Sequence, residues 1–323
     1  MPLSTMRPRI LLPCLLSMRP RILLPCLLSF MTGVLLCHVS GGDQGLRPKA
    51  VTTKISDIES LMDARIWESY TKNINSSTNI KLPSALGKFN TNAKKCQEPV
   101  NIHESDYKSQ HEEDRKLMSW FGNICEGSYI EMGALDGILY SNSHVFNKAL
   151  KWKGVMIELM KNSFDELIEN RKNEIATINA GVCDVPQTLH YAGNGAISGI
   201  WEFSAPSFRE KWWAGITLDS PQAHKIECDT LDSLLLKHAP SHTFFDFFSL
   251  DVEGAEFAVV KSVDWERIGF GIIFVEADRH SEFKNLAMRG LIESQGYMFL
   301  ERYGSSYWFV NEHFHEIYKD LVY

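Results

Sequence analysis

Three carboxylates crowd around one glycine in Asp251-Val252-Glu253-Gly254-Ala255-Glu256, directly after the apolar run Phe244 to Leu250. A short apolar run of this kind reads as a buried strand, so its end delivers the acids to the mouth of a sheet. Burial and mutual repulsion there would raise one carboxyl toward the range of a general base. Asp251 and Glu253 form the candidate catalytic pair. Acids also favour a helix N-terminus, so for Glu253 and Glu256 the catalytic and the helix-start readings stand side by side.

A second group lies upstream, in Tyr129-Ile130-Glu131-Met132-Gly133-Ala134-Leu135-Asp136-Gly137, followed by Ser141-Asn142-Ser143. Glycines at a strand-to-helix turn let backbone approach a ligand closely, and an acid beside the turn suits a ligand that carries positive charge. Glu158 ends the next apolar run, 25 positions after Gly133, where a nucleotide-binding unit places a carboxylate to hold both ribose hydroxyls. Asp184, just past the third run, is placed for an adenine edge, although acids after strands are also common turn residues. The turn lacks the G-x-G-x-x-G spacing that admits a pyrophosphate, which argues against a dinucleotide oxidoreductase.

These groups need a scaffold that brings strand ends together. Apolar runs at Ser128 to Met132, Gly154 to Glu158, Ile175 to Val182, Phe244 to Leu250 and Gly271 to Glu276 alternate with helical patterns. The latter lie at His144 to Leu150, Ser163 to Arg171, Thr230 to His238 and Ala255 to Val263. Ser109-Gln110-His111-Glu112 reads as a capping box that opens an earlier helix with Leu117, Met118, Trp120 and Phe121 on it. The expected fold is α/β: a mostly parallel central sheet, Rossmann-like, with helices on both faces and the ligand at the carboxyl ends of the strands.

Taken together, Tyr129 to Gly137, the Ser-Asn-Ser that follows, Trp152-Lys-Gly-Val-Met-Ile-Glu158, Asp229-Thr-Leu-Asp-Ser-Leu-Leu and Phe248 to Glu256 resemble the FkbM-type methyltransferases, in order and spacing, over roughly Asp106 to Val310. The resemblance implies a class I methyltransferase fold, S-adenosylmethionine as cofactor and an oxygen acceptor. It implies a cofactor site containing Glu131, Gly133, Asp136, Glu158 and Asp251, to which the turn geometry adds Gly137 and the strand end adds Asp184. Leu135 stands where a polar or aromatic residue is frequent in the family, and Met132 replaces a β-branched one. A non-catalytic lumenal or membrane-tethered adaptor on the same fold is the alternative function, since fold alone does not guarantee activity.

The remainder of the chain bears on compartment and partners. Met6 to Ser17 recurs letter for letter at Met18 to Ser29, a local duplication. Its second copy runs on as an apolar stretch from Ile22 to Val39, behind Arg19 and Arg21 and before Ser40, Gly41 and Gly42. This is the order of a secretory signal, read either as a cleaved signal peptide or as the uncleaved anchor of a single-pass type II membrane protein. The expected organisation is therefore a targeting segment over 1–41, a polar stem over 42–105 and a methyltransferase domain over 106–323, with the domain in the secretory lumen or secreted. Asn75-Ser76-Ser77 is then a glycosylation acceptor. Cys96, Cys125, Cys183 and Cys228 follow the targeting segment and allow three pairings, and Cys183 with Cys228 reads equally as two buried thiols or as a disulfide. A net charge of −7 without a basic, aromatic-interleaved run excludes a nucleic-acid partner.

The acceptor expected is a small molecule or a glycan or lipid-type group. Trp201 to Trp213, with Phe203, Phe208 and Trp212, reads either as an aromatic lid over it or as satellite core under a long loop. Glu276-Ala277-Asp278-Arg279-His280 could join Asp251 and Glu253 around a divalent cation, but carboxylates at strand ends are equally expected without one, and no metal is assigned. The oligomeric state has no sequence signature.

Overall fold

The computed structural model describes residues 90–277 and 281–322, together with four short strands within 11–54. It divides into two units, Met1–Ile80 and Lys81–Tyr323. In the first, Leu11–Cys14, Leu24–Ser29, Val34–Cys37 and Thr53–Lys54 pair antiparallel in that order. Most of the expected targeting segment, and Asn75, lie outside the described residues. No helix among the described residues is long and apolar enough to cross a membrane.

In chain order the second unit comprises α1 (Glu113–Phe121), β1 (Ser128–Met132), α2 (His144–Leu150), β2 (Lys153–Glu158), α3 (Lys161–Asn170) and β3 (Ala176–Asn179). There follow β4 (Gly181–Val182), β5 (Gln187–Ala192), β6 (Gly199–Ile200), α4 (Pro206–Trp212) and β7 (His224–Asp229). The chain continues through α5 (Leu231–His238), β8 (Phe244–Leu250), α6 (Glu256–Lys261), β9 (Gly269–Glu276), α7 (Glu282–Ser294), β10 (Tyr297–Tyr303), β11 (Ser306–Asn311) and α8 (Phe314–Val322).

Seven strands form the central sheet in the order β10-β11-β9-β8-β1-β2-β3, parallel except for β11, which runs antiparallel to both its neighbours. Every residue of β8 is buried, which is why its sequence is almost continuously apolar. One face packs Ile130, Ile157, Phe245, Phe248 and Ile273 with Leu235, Val259 and Met288 of the covering helices. The other packs Tyr129, Trp152, Phe247 and Trp308 with Leu117, Phe121, Phe146 and Tyr318. Asp246 is the one ionisable residue within β8. Its carboxylate accepts hydrogen bonds from Ser128 N at 2.7 Å and from Tyr318 Oη at 2.7 Å, so it ties β1 and α8 to the centre of the sheet.

The sheet turns back on itself between β1 and β8, because the chain leaves β1 toward β2 on one side and reaches β8 on the other only after the β3 side is complete. Such a switch point is where open α/β sheets bind ligands. The expected third strand is divided. Ala176–Asn179 stays in the central sheet, whereas Gly181–Val182 starts a small separate sheet, β4-β7-β5-β6, that stands over the same edge.

Two boundaries differ from expectation. Helix α1 begins at Glu113, because the Ser109 hydroxyl accepts from Asp114 N at 2.9 Å while Asp114 Oδ2 accepts from Ser109 N at 3.0 Å, so the reciprocal cap spans five residues and not three. The compact unit also reaches back to Lys81, past the boundary expected at 105/106. Lys94–Lys95 pairs with Ile124–Cys125, and a disulfide joins Cys96 to Cys125, which fastens this part of the expected stem to the domain.

Candidate functional site

The ends of β1, β2, β8 and β9 open into a cavity of about 500 Å³. Its floor is the crossing of β1 and β8. Asp251 N donates to Met132 O at 3.2 Å, and Gly133 leaves β1 with φ +79°. A Cβ at Gly133 would lie 1.9 Å from the Asp251 carbonyl oxygen, so only glycine permits both the turn and the approach.

Glu158 lines this cavity and is almost fully buried. Leu135 N donates to its Oε2 at 2.8 Å and Met160 N to its Oε1 at 2.7 Å, which fixes the carboxylate and leaves lone pairs on both oxygens. Burial raises its pKa, and these backbone bonds oppose the rise. Glu131 lines the cavity too, but its oxygens are spent on the following loop. They accept from Asn142 N at 2.7 Å, from Ser141 Oγ at 3.0 Å and from Ser143 Oγ. Arg171 closes that network through Ser143 Oγ at 2.8 Å and pairs with the buried Glu174 at 2.8 Å. Glu131 thus shapes the turn around Gly133 from behind.

At the end of β8, Asp251 is exposed to the cavity while the groups around it are packed closely. Burial raises its pKa, while a hydrogen bond from Glu276 and the nearby His111 act in the opposite direction. Glu276, at the end of β9, is driven far above the ordinary carboxylate range by burial and then by the charges of Asp251, Glu256 and Glu253. Its Oε2 is buried without a hydrogen-bond partner among the described atoms, close to the Asp251 and Glu256 carboxylates. Glu256 accepts from Gly254 N at 3.0 Å and Val252 N at 3.1 Å, which makes it the clamp of the turn over 251–254. Glu253 lines the cavity at φ +56°, and its carbonyl accepts from Ser204 Oγ at 3.0 Å. Lys284 Nζ donates to Gly254 O at 3.0 Å and also to Phe203 O, so the small sheet and α7 jointly hold this turn. Oxygens of Asp251, Glu256 and Glu276 lie within 4.8 Å of one another. Asp278, Arg279 and His280 lie outside the described residues.

Three expected cofactor contacts stand elsewhere. Asp136 Oδ1 accepts from Ile138 N at 2.8 Å and Leu139 N at 2.7 Å, a side chain folded onto its own turn and absent from the cavity lining. Gly137 packs beneath Arg171 and Leu167, where a Cβ would meet them at 2.5 and 2.7 Å. Asp184 pairs with Lys261 on the surface. All three are corrected to structural positions.

The cavity also contains residues outside the expected cofactor and catalytic sets. Gln110 and His111 arrive on the strap before α1, which is held by Asp114 and by Ser109 Oγ donating to Asn142 Oδ1 at 2.6 Å. Ile197 and Ser198 come from the segment between β5 and β6, while Phe208 and Trp212, two of the candidate lid residues, come from α4. Trp201 stacks on Trp213 with centroids 5.8 Å apart, and Phe208 and Trp213 form a satellite core. The aromatic stretch thus serves both readings: Trp213 is core, while Trp212 stands in the cavity wall. A disulfide between Cys183 and Cys228, with Cα atoms 5.8 Å apart, closes this insert at its base.

The sheet, with its switch point, has the Rossmann-like fold of the class I methyltransferases. A sequence model described as "Methyltransferase FkbM domain" matches residues 131–299, just over half of the 323 residues, and the chain belongs to that family. Among solved structures, it is similar to the methyltransferase FkbM from Methylobacillus flagellatus at 12% identity and TM-score 0.35, covering 57% of this chain and 43% of that one. A TehB-like S-adenosylmethionine-dependent methyltransferase from Corynebacterium glutamicum is 10% identical at TM-score 0.33, covering 63% and 89%. Fibrillarin from Aeropyrum pernix, solved with bound S-adenosylmethionine, is 12% identical at TM-score 0.32, covering 58% and 67%. The chain thus spans less than half the length of the first of these. A search of curated proteins found no match.

The residues present fit the cofactor. Gly133 lines the cavity at the close approach of two backbone turns, Glu158 keeps lone pairs for a diol, and Leu159, Val182 and Val259 supply an apolar wall beside it.

Proposed function

We propose that this chain is an O-methyltransferase of the secretory pathway, acting on a hydroxyl or carboxyl acceptor. S-adenosylmethionine, when bound, supplies an electrophilic methyl group. Glu158 would hold the ribose hydroxyls and Gly133 would admit the cofactor against the backbone, while Asp251 faces the positive charge. Glu253, in the same turn, would receive the proton of an acceptor hydroxyl. The observation that carries this reading is the Asp251 carboxyl at the end of β8, which lines the cavity together with Glu253 of the same turn and so offers a negative group where charge and acceptor must meet. The two disulfides support an oxidising compartment, and the basic-then-apolar N-terminal sequence supports entry into it.

The test is transfer of label from methyl-tritiated S-adenosylmethionine to a detergent extract of secretory membranes. Label that resists mild base marks a methyl ether, and label released as methanol marks a methyl ester. Label confined to nitrogen, or a cytosolic protein with free cysteines, would overturn the reading.

A further inference from the structure

The acceptor side of the cavity has a chemistry of its own. Among the described lining residues there is no lysine or arginine, whereas Glu131, Glu158, Asp251, Glu253 and Glu276 all reach the surface of the cavity. A carboxylate or phosphate acceptor would be brought among carboxyl groups with no lysine or arginine in the described lining, and Lys211 nearby is committed to one face of Trp212. Neutral hydroxyls face the opposite situation. Carboxyl oxygens accept from them, and Gln110, Asn142, Ser198, Ser249 and Ser305 can both donate and accept.

One wall adds an apolar plane. Trp212 is 44% exposed although its neighbour Trp213 is 2% exposed, so the ring is presented outward and not packed away. Lys211 Nζ lies over one face, 4.3 Å from the ring centroid, and leaves the other face for a ligand. Pro206 at the first turn of α4 and the Trp213 indole, which donates to Ile197 O at 2.9 Å, hold this wall in place. A flat aromatic face opposite a row of hydroxyl-binding groups matches a pyranose, whose C–H face is apolar and whose edge carries hydroxyls.

We infer that the acceptor is an uncharged sugar, seated with its ring face on Trp212 and its hydroxyls turned toward Asp251, Glu253 and Ser305. This deepens the O-methyltransferase reading and rests on it. The experiment below reads binding alone, so its failure is distinguishable from a failure of methyl transfer.

The test is saturation-transfer NMR on the full chain with S-adenosylhomocysteine present. The probes are the methyl pyranosides of glucose, galactose, mannose, xylose and N-acetylglucosamine, methyl β-glucuronide, and 1-octanol. At least one neutral glycoside is expected to bind. Trp212→Ala should weaken it by about 10-fold, a substantial share of one stacked ring, while Trp212→Phe retains most of the affinity. Methyl β-glucuronide should bind about 10-fold more weakly than the glucoside at neutral pH. Calorimetry with S-adenosylmethionine on each variant checks that the fold is intact. Binding of the glucuronide as tightly as the neutral sugar, binding of 1-octanol in place of every glycoside, no glycoside binding, or indifference to Trp212→Ala in a folded variant would each overturn the inference.

Discussion

Gly133 and Asp251 meet so closely that a Cβ on the first would stand 1.9 Å from the carbonyl oxygen of the second. The contact joins the two motifs that carry the chemistry, one after β1 and one after β8, across the switch point of the sheet. Gly133→Ala must both open this crossing and hold an alanine at φ +79°. It should cost at least ~2 kcal/mol of stability and weaken S-adenosylmethionine binding by more than ~10-fold. Thermal melts and calorimetry check both, and a stable variant with native affinity would show that the crossing yields freely.

Glu158 has a double role that one substitution exposes. Glu158→Ala removes the proposed ribose acceptor and also leaves the Leu135 and Met160 amides without their partner. We expect S-adenosylmethionine affinity to fall by at least ~1.5 kcal/mol, the scale of a hydrogen bond to a charged group, together with a lower melting temperature. Unchanged calorimetric affinity in a folded variant would remove Glu158 from the ribose site.

The carboxyl cluster makes stability depend on pH. Glu276 and Glu256 have pKa values raised above their unfolded value of 4.5, Glu256 to about 7, chiefly through burial. The folded state therefore binds more protons than the unfolded one. Their contribution is fully present below about pH 4.5 and is lost as pH rises, for Glu256 through about 7. Glu276→Gln, which keeps the hydrogen-bond donor and cannot ionise, should raise the melting temperature near pH 8 and flatten its fall between about pH 5 and 8. An unaltered pH profile would mean that burial does not raise the Glu276 pKa in the folded state.

The bond between Cys183 and Cys228 spans 45 positions and encloses the cavity wall that contains Phe208 and Trp212. Replacing both cysteines with serine should cost about 2–4 kcal/mol. It should also loosen that wall, seen as faster amide exchange across β5 and α4. Non-reducing peptide maps of secreted protein should recover this pair and Cys96 with Cys125, and free thiols at all four positions would contradict the pairing.

The sequence was most legible where local pattern and burial coincide. β1, α2 and β8 begin and end at the expected residues because each is a short run whose apolar positions face a core. Thr230 caps α5 as its position suggests, with Oγ1 accepting from Ser233 N at 3.1 Å. The acids were less legible, since a carboxylate can face a ligand or its own backbone. Glu158 and Asp251 open to the cavity, whereas Asp136 folds back onto Ile138 and Asp184 pairs with Lys261. His111 escaped assignment, and Trp212 stayed between a lid and a satellite-core reading, for another reason. Each reaches the cavity only through contacts distant in sequence, Ser109 with Asn142 in one case and Cys183 with Cys228 in the other.

Everything proposed for the reaction turns on whether Asp251 serves methyl transfer or is merely a strand-end acid. The most direct measurement is single-turnover transfer from methyl-tritiated S-adenosylmethionine to the secretory-membrane extract, run for the native chain, Asp251→Asn and Glu253→Gln, with a melting curve for each. A loss of about 100-fold or more is expected for either variant, the lower range for a missing general base. Melting should stay native-like, and cofactor affinity should fall for Asp251→Asn but little for Glu253→Gln. A stable Asp251→Asn protein that transfers methyl groups at the native rate would contradict the role given to Asp251.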